Sequence, residues 1–263
     1  METPRKTRLQ TILSNIKANR KSIIGVILFN ILLVFIWRKM NVQVPWDFTV
    51  VPEFLPLFRM AAIATLQITT FGILFGLVLG LIVGLMRTSK IWFLDWPARF
   101  YIFIIRGTPL LLQIFIIYYG LASVVDIPSY PAAIIALGVH NAAYIAEIFR
   151  GSITSVDRGQ REAALSLGMT SWQSMKRIIL PQAVKRSVPP LGNQFIIALK
   201  DSSLASTIAV AELLLRARQL ASSNFMMMEM LVVAAVYYLI MTSVFTYIVG
   251  KVEHRMSISD HRQ

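Results

Sequence analysis

GQREAALSLGMTSWQSMKRIILP, residues 159–181, is the stretch on which the reading of this chain turns. It is polar enough to be a loop, yet it carries the punctuation of two short helices. The first is expected over Gly159 to Leu167 and stops at Gly168, because glycine enters the left-handed conformation that ends a helix without steric cost. The second opens at Thr170-Ser171-Trp172-Gln173, where Thr170 and Gln173 can exchange side-chain-to-backbone hydrogen bonds as a capping box. It is expected to run to Leu180 and to end at Pro181, which has no N–H to continue the ladder. Two capped helices turning at one glycine make a rigid knob. A knob can be a plain connector or a part that passes force from a soluble partner, and the helical pattern leaves both open.

Outward from the knob, the chain becomes apolar. Of 263 residues, 56 % are hydrophobic, and the mean hydropathy is +0.64; a soluble domain of this length cannot hide so much apolar surface, whereas lipid accepts it. Six stretches are long enough, or nearly so, to cross a hydrocarbon core: 22–37, 60–86, 98–120, 131–149, 189–215 and 229–250. The first is the shortest, and Lys21, Arg38 and Lys39 at its ends can snorkel to the headgroups. It starts like a signal sequence, but no small-residue cleavage site follows Trp37, so it is expected to stay as an anchor. The second carries Gly72, Gly76, Gly80 and Gly84, whose four-residue spacing puts all of them near one helix face. That face suits close packing within the chain better than a seam between two copies.

The formal net charge is +13, which in a soluble protein would point to nucleic acid. Here the cations follow topology instead. With the N-terminus inside, the inner segments hold Arg5, Lys6, Arg8, Lys17, Arg20 and Lys21, then Arg87, Lys90 and Arg99, then seven more between Arg150 and Arg186, and finally Lys251, Arg255 and Arg262. The outer segments hold only Arg38, Lys39, Arg59, Arg216 and Arg218. The excess of inside cations places both termini, and the knob, in the cytoplasm. The absence of cysteine removes disulfides and thiolate metal sites. No metal cluster or nucleophile triad stands out, and His140, His254 and His261 read as ordinary polar residues.

The knob has a more specific pattern. Glu162, Ala163 and Ala164, then Gly168, then Ile178, Leu180 and Pro181 match EAA-x3-G-x9-I-x-LP at every fixed position and both gaps. This resembles the signature loop of bacterial ABC importer permeases. The stretches RGTPLLLQ (106–113), AEIFRGSITSVDRGQREAALSLGM (146–169) and LPQAVKRSVPPLGNQFIIALKDSSLAS (180–206) are similar to the polar amino-acid permeases, which include importers of histidine, arginine, glutamine, glutamate, cystine and opines.

The resemblance covers residues 58–254 and implies an all-α membrane protein: a type I ABC importer core of five helices, to which 22–37 adds a sixth at the N-terminus. Residues 1–57 are then a basic cytoplasmic N-terminus, the extra helix and an external loop; the coupling loop is about 150–188, and 255–263 is a cytoplasmic tail. It further implies alternating access in the bacterial inner membrane, with four kinds of partner. These are two cytoplasmic ATPase subunits, a second permease subunit (identical or homologous), an extracytoplasmic solute-binding protein and membrane lipid. The pattern G-x4-G-K-[ST] occurs nowhere in the chain, so ATP and Mg are expected on the partner ATPase and no cofactor on this chain. A gradient-driven transporter or channel is the competing class; it needs no docking loop.

Charges inside apolar spans are costly and tend to be functional. At about 1.5 Å per residue, Arg106 lies about 12 Å and Lys200 about 16 Å in from the cytoplasmic ends of their spans, with Asp201 beside Lys200 and Asn141 at a similar depth. Gln67 lies about 10 Å from the outer end of its span. An amino acid always brings a carboxylate and an ammonium, which a buried cation and Asp201 could answer. Equally, Arg106 or Lys200 could pair with Asp201 to hold helices together. Gly107-Thr108-Pro109 after Arg106, and Ser202-Ser203 after Asp201, mark places where each helix bends or loosens. Glu147 and Arg150, three apart, are expected to pair on one face.

The six-span assignment is directly testable. A reporter enzyme fused before Arg5 or after Gln263 is expected to report the cytoplasm, and one inserted near Asp126 the outside. A cytoplasmic signal from the Asp126 insertion breaks the assignment.

Overall fold

The computed structural model describes residues 47–89, 91–122 and 124–260. The expected span 22–37 and the rest of residues 1–46 lie outside the described residues, as do the last three of the tail. All regular structure among the described residues is helical. The order is α1 (Val51–Thr88), α2 (Trp92–Gly107), α3 (Leu110–Ala122), α4 (Ser129–Thr154), α5 (Arg158–Ser166), α6 (Ser171–Ser174), a π turn (Met175–Ile179), α7 (Leu180–Asp201), a 3-10 stretch (Ser202–Ile208), α8 (Leu213–Asn224) and α9 (Met227–Asp260). Helices α1, α4 and α9 are each long and apolar enough to cross a membrane, and α2 with α3 makes a fourth crossing if the bent pair counts as one.

The expected single span at 98–120 is broken. Helices α2 and α3 meet at 109°. Pro109 has no N–H for the carbonyl four residues earlier, and its ring pushes the preceding residue out of the helical region: Thr108 sits at φ −121°, ψ 148°. The expected span 189–215 is interrupted too. Helix α7 stops at Asp201 and tightens into the 3-10 stretch, which Ala209 ends at φ 61°. A new helix, α8, then starts on Glu212, whose carboxylate accepts from the amides of Leu214 at 2.9 Å and Leu215 at 2.8 Å. Glu212 is 0 % exposed, so this cap also seals its charge from lipid. Its third partner is the Tyr238 hydroxyl of α9, which donates at 2.7 Å.

A third departure lies after the knob. The second short helix does not end at Pro181; it runs through the π turn into α7. Within that turn the amide of Leu180 donates to the carbonyl of Met175, five residues back. The widened turn makes room for the proline ring, which then occupies the first turn of α7, where its missing N–H costs nothing.

The tightest seam joins α1 and α4. All four glycines of α1 face α4 and are buried. A Cβ on Gly72 would lie 3.1 Å from Leu137 Cβ, on Gly76 3.0 Å from the Gly138 carbonyl, on Gly80 2.8 Å from the Ala142 carbonyl and on Gly84 3.3 Å from the Ala146 carbonyl. The glycines therefore serve packing inside the chain. Opposite them α4 contributes Ala142 and Ala146, with Ala133, Ala136 and Ala143 also fully buried, the small-on-small chemistry by which helices associate in lipid. Gly80→Val is expected to push the two backbones apart and to cost about 1–3 kcal/mol by overpacking. Thermal unfolding of the purified complex measures it; an unchanged midpoint contradicts the seam.

Candidate functional site

The knob is built as its sequence indicates up to the π turn. Asp157 caps α5, its carboxylate accepting from the Gly159 amide at 2.7 Å. At the other end Gly168 adopts φ +80°, its amide reaches the Leu165 carbonyl at 2.9 Å, and the Met169 amide reaches the Ala164 carbonyl at 3.1 Å. That pair of bonds is the Schellman closure, and it requires the left-handed glycine. The capping box is formed in both directions: Thr170 N–H to Gln173 Oε1 at 2.9 Å, and Gln173 N–H to Thr170 Oγ1 at 3.2 Å.

Of the signature residues, Ala164 is buried, while Glu162, Ala163, Gly168 and Pro181 are exposed and Ile178 and Leu180 are half-buried. Val156, Ile179 and Ala183 form a small core that fixes the knob to the end of α4, with Ile153 and Met175 packed against it. An Arg186 guanidinium N–H bonds the Ser155 carbonyl across the same junction. Two apolar side chains that the sequence reading did not single out point outward from the knob: Leu167, 81 % exposed, and Trp172, 71 % exposed. Their adjacency to Gly168 and Thr170 was the available signal.

Near the knob, ion pairs tie three helices together. Asp95 of α2 meets Arg87 of α1 at 2.8 Å and Arg99 at 2.6 Å. Glu147 of α4 meets Arg150 at 2.8 Å, as expected, and also lies 3.9 Å from Arg87.

At mid-span the predicted residues divide. Arg106, the penultimate residue of α2, is exposed, and its guanidinium carbon lies 5.3 Å from the ring centre of Tyr144 on α4. Asn141, one turn earlier on α4, is 0 % exposed. Its amide donates to the Leu137 carbonyl at 2.7 Å and accepts from Gln194 of α7 at 2.8 Å. In this conformation Asn141 is thus an interhelix contact. Lys200 is exposed and Asp201 half-buried. No ion pair joins Asp201 to Arg106 or Lys200 among the described residues, so the structural pairing considered for them is not formed here. Gln67 is exposed, and its Oε1 accepts from the Tyr130 hydroxyl at 3.0 Å. Sequence reasoning missed Gln113, Tyr144 and Gln194. Gln113 closes the quoted RGTPLLLQ stretch, and Tyr144 lies four residues from His140 on the same face.

A capped knob fixed to a bundle with a broken, cation-bearing span is the arrangement that comparison with known proteins resolves. Residues 72–258 match the family of binding-protein-dependent transport system inner membrane components. The chain belongs to this family. As its membrane permease subunit it works within an ABC importer, in which a separate polypeptide hydrolyses ATP. The glutamine transport system permease protein of Escherichia coli (strain K12) is 39 % identical over 216 residues, 81 % of this chain and 99 % of that one. The octopine transport system permease protein of Rhizobium radiobacter is 42 % identical over 186 residues, 67 % of this chain and 76 % of that one. The L-cystine transport system permease protein of Bacillus subtilis (strain 168) is 39 % identical over 219 residues, covering 82 % and 93 %. Among solved structures, an amino acid ABC transporter with histidines superposes with a TM-score of 0.77 at 40 % identity, covering 80 % of this permease and 98 % of that chain. An inward-facing methionine ABC transporter, 21 % identical with a TM-score of 0.62, shares the permease fold.

A substitution at the knob turn tests this geometry. Gly168→Val meets no neighbour within 4 Å in this chain, so within the permease its effect comes from placing a β-branched residue at φ +80°. The expected cost is about 1–2 kcal/mol of local strain, read as a loss of transport-coupled ATPase activity while membrane insertion survives. Full coupled ATPase activity in this variant removes the turn from the mechanism.

Proposed function

We propose that this permease imports polar amino acids by alternating access, with six spans and both termini in the cytoplasm. Two such permease subunits, identical or homologous, enclose the pathway between two cytoplasmic ATPase subunits and an extracytoplasmic solute-binding protein. ATP and Mg belong to the ATPases. The relatives named for glutamine, octopine and L-cystine support the substrate class, and the excess of inside cations supports the orientation.

One observation carries the mechanism. The helix that begins at the capping box on the knob continues without a break through the π turn and α7 to Lys200 and Asp201. At about 1.5 Å per residue this rod is roughly 45 Å long. A knob drawn toward its twin when the ATPases bind ATP therefore moves the Lys200–Asp201 end directly, with no loop to absorb the motion. Arg106 supplies a cation for the substrate carboxylate, and Asp201 an anion for its ammonium. Lys200 and Gln67 border the route, and Asn141 stiffens its wall.

Uptake into proteoliposomes holding the full complex, tested against a panel of labelled amino acids, decides the substrate class. Because Asp201 has no ion-pair partner among the described residues, Asp201→Asn is expected to assemble normally, to keep basal ATPase activity and to lose uptake. Arg106→Gln should behave alike. Each loss is expected to be about 10-fold or more, the scale of a lost hydrogen bond to a charged group. Scarce complex with Asp201→Asn, reflecting about 3–5 kcal/mol lost, would instead mark Asp201 as the partner of a buried cation.

A further inference from the structure

The break between α2 and α3 leaves carbonyls that lipid cannot satisfy, and one side chain closes it. In an unbroken helix the carbonyl of Ile105 would accept from residue 109, but that residue is Pro109. Gln113 of α3 reaches back and supplies the missing donor: its Nε2 bonds the Ile105 carbonyl at 2.8 Å, the Thr108 carbonyl at 3.1 Å and the Thr108 hydroxyl at 2.9 Å. Thr108 in turn donates to the Ile104 carbonyl at 2.9 Å.

With Nε2 facing three acceptors, the other end of the Gln113 amide must be its oxygen, which lies 2.9 Å from Nδ1 of His140. His140 Nδ1 therefore carries the proton and donates to Gln113. His140 is buried, and its ring centre lies 5.0 Å from that of Tyr144, the ring beneath the Arg106 guanidinium. The contacts form a closed circuit from the break to Gln113, His140, Tyr144 and back to Arg106. Arg106 is thereby the exposed member of a framework in which Gln113 and His140 are buried and Tyr144 and Thr108 half-buried.

We propose that Gln113 and His140 are positioning residues that hold Arg106 beside the break, where it receives the carboxylate of the transported amino acid. This rests on the reading of Arg106 as the carboxylate contact. Gln113 fixes the angle between α2 and α3, and His140 fixes Gln113 and supports the ring on which the guanidinium lies. Neither touches the substrate. Their effect is confined to how well the site distinguishes a carboxylate from a neutral group of similar shape.

The probe is the labelled amino acid with the highest uptake in the panel above, compared with its methyl ester, which lacks the carboxylate charge. Equilibrium binding of both to the purified permease–ATPase complex gives an acid-over-ester preference. Arg106→Gln and His140→Leu are each expected to reduce that preference about 10-fold, and the double variant no further than Arg106→Gln alone. His140→Asn should restore it in part, because the asparagine amide nitrogen takes the place of Nδ1 but not of the ring against Tyr144. Gln113→Met should act in the same direction, and His140→Leu keeps the test decisive if that variant fails to assemble, since it leaves the Gln113 bonds to the backbone intact. A purely packing role predicts lower complex yield with an unchanged preference, and that result overturns the proposal. If Arg106→Gln collapses the preference while His140→Leu does not, positioning fails and the Arg106 reading stands. If Arg106→Gln leaves the preference unchanged, the Arg106 reading fails, and this inference with it.

Discussion

Helix α4 can touch α1 as closely as it does only because neither surface carries bulk along the seam. In lipid there is no hydrophobic gain from bringing two apolar helices together, so their association depends on van der Waals contact and on polar bonds between them. Glycine against alanine and backbone maximises the first. Gly80 approaches the Ala142 carbonyl so closely that a Cβ would sit at 2.8 Å. Held by that seam, α4 becomes the element from which others are placed. It meets α2 through Tyr144 and Arg106, α3 through His140 and Gln113, α7 through Asn141 and Gln194, and the knob through Ile153 and the small core beside it.

The polar bonds follow a second constraint, that polar groups inside a membrane need a partner from the protein itself. The chain answers it in three local ways. Gln113 replaces the donor lost at Pro109. Hydroxyls inside α1 are satisfied by its own backbone, Thr65 donating to the Ala61 carbonyl and Thr69 to the Thr65 carbonyl, both buried. Glu212 satisfies two amides at the start of α8, and the Tyr238 hydroxyl shares the charge that this cap buries. Each solution uses a side chain whose partner lies on the same or a neighbouring helix, and those of Gln113 and Glu212 stand where a continuous helix is interrupted.

This explains which features were legible in the sequence. The knob was, because its start and stop signals act within a few residues: Thr170 bonds Gln173, and Gly168 closes on the turn before it. The glycine face of α1 was legible through its spacing alone. The bends at Pro109 and after Asp201 were legible as weak points, but the extent of each was not. How far α2 and α3 diverge depends on Gln113 and His140, and the residue that starts α8 is a buried glutamate bonded to a tyrosine 26 positions later. Hydropathy windows smooth over such interruptions, so 98–120 and 189–215 read as single spans. Pro181 misled in the opposite sense: a proline ends an α-helix, but a π turn before it lets the helix continue. Depth counting from span ends put Asn141 level with Arg106, yet could not show that Gln194 had already claimed it.

The two departures from simple helices have opposite mechanical consequences. The π turn preserves continuity, so the knob and the Lys200–Asp201 end belong to one rod. The break at Gly107–Pro109 removes continuity, so Arg106 does not move with α3 as part of a rod and depends on α4 for its position. Helix α4 is itself joined to the knob, through the small core of Val156, Ile179 and Ala183 and through the Arg186 bond to Ser155. In the proposed mechanism, motion of the knob reaches Asp201 along α7 and Arg106 through α4, by two different routes. The routes are cross-linked once within the bundle, where Asn141 and Gln194 share a 2.8 Å hydrogen bond. Being 0 % exposed, Asn141 exchanges that bond for no water, so the bond holds α4 and α7 in register, and with them the two residues, Arg106 and Asp201, proposed to meet the substrate.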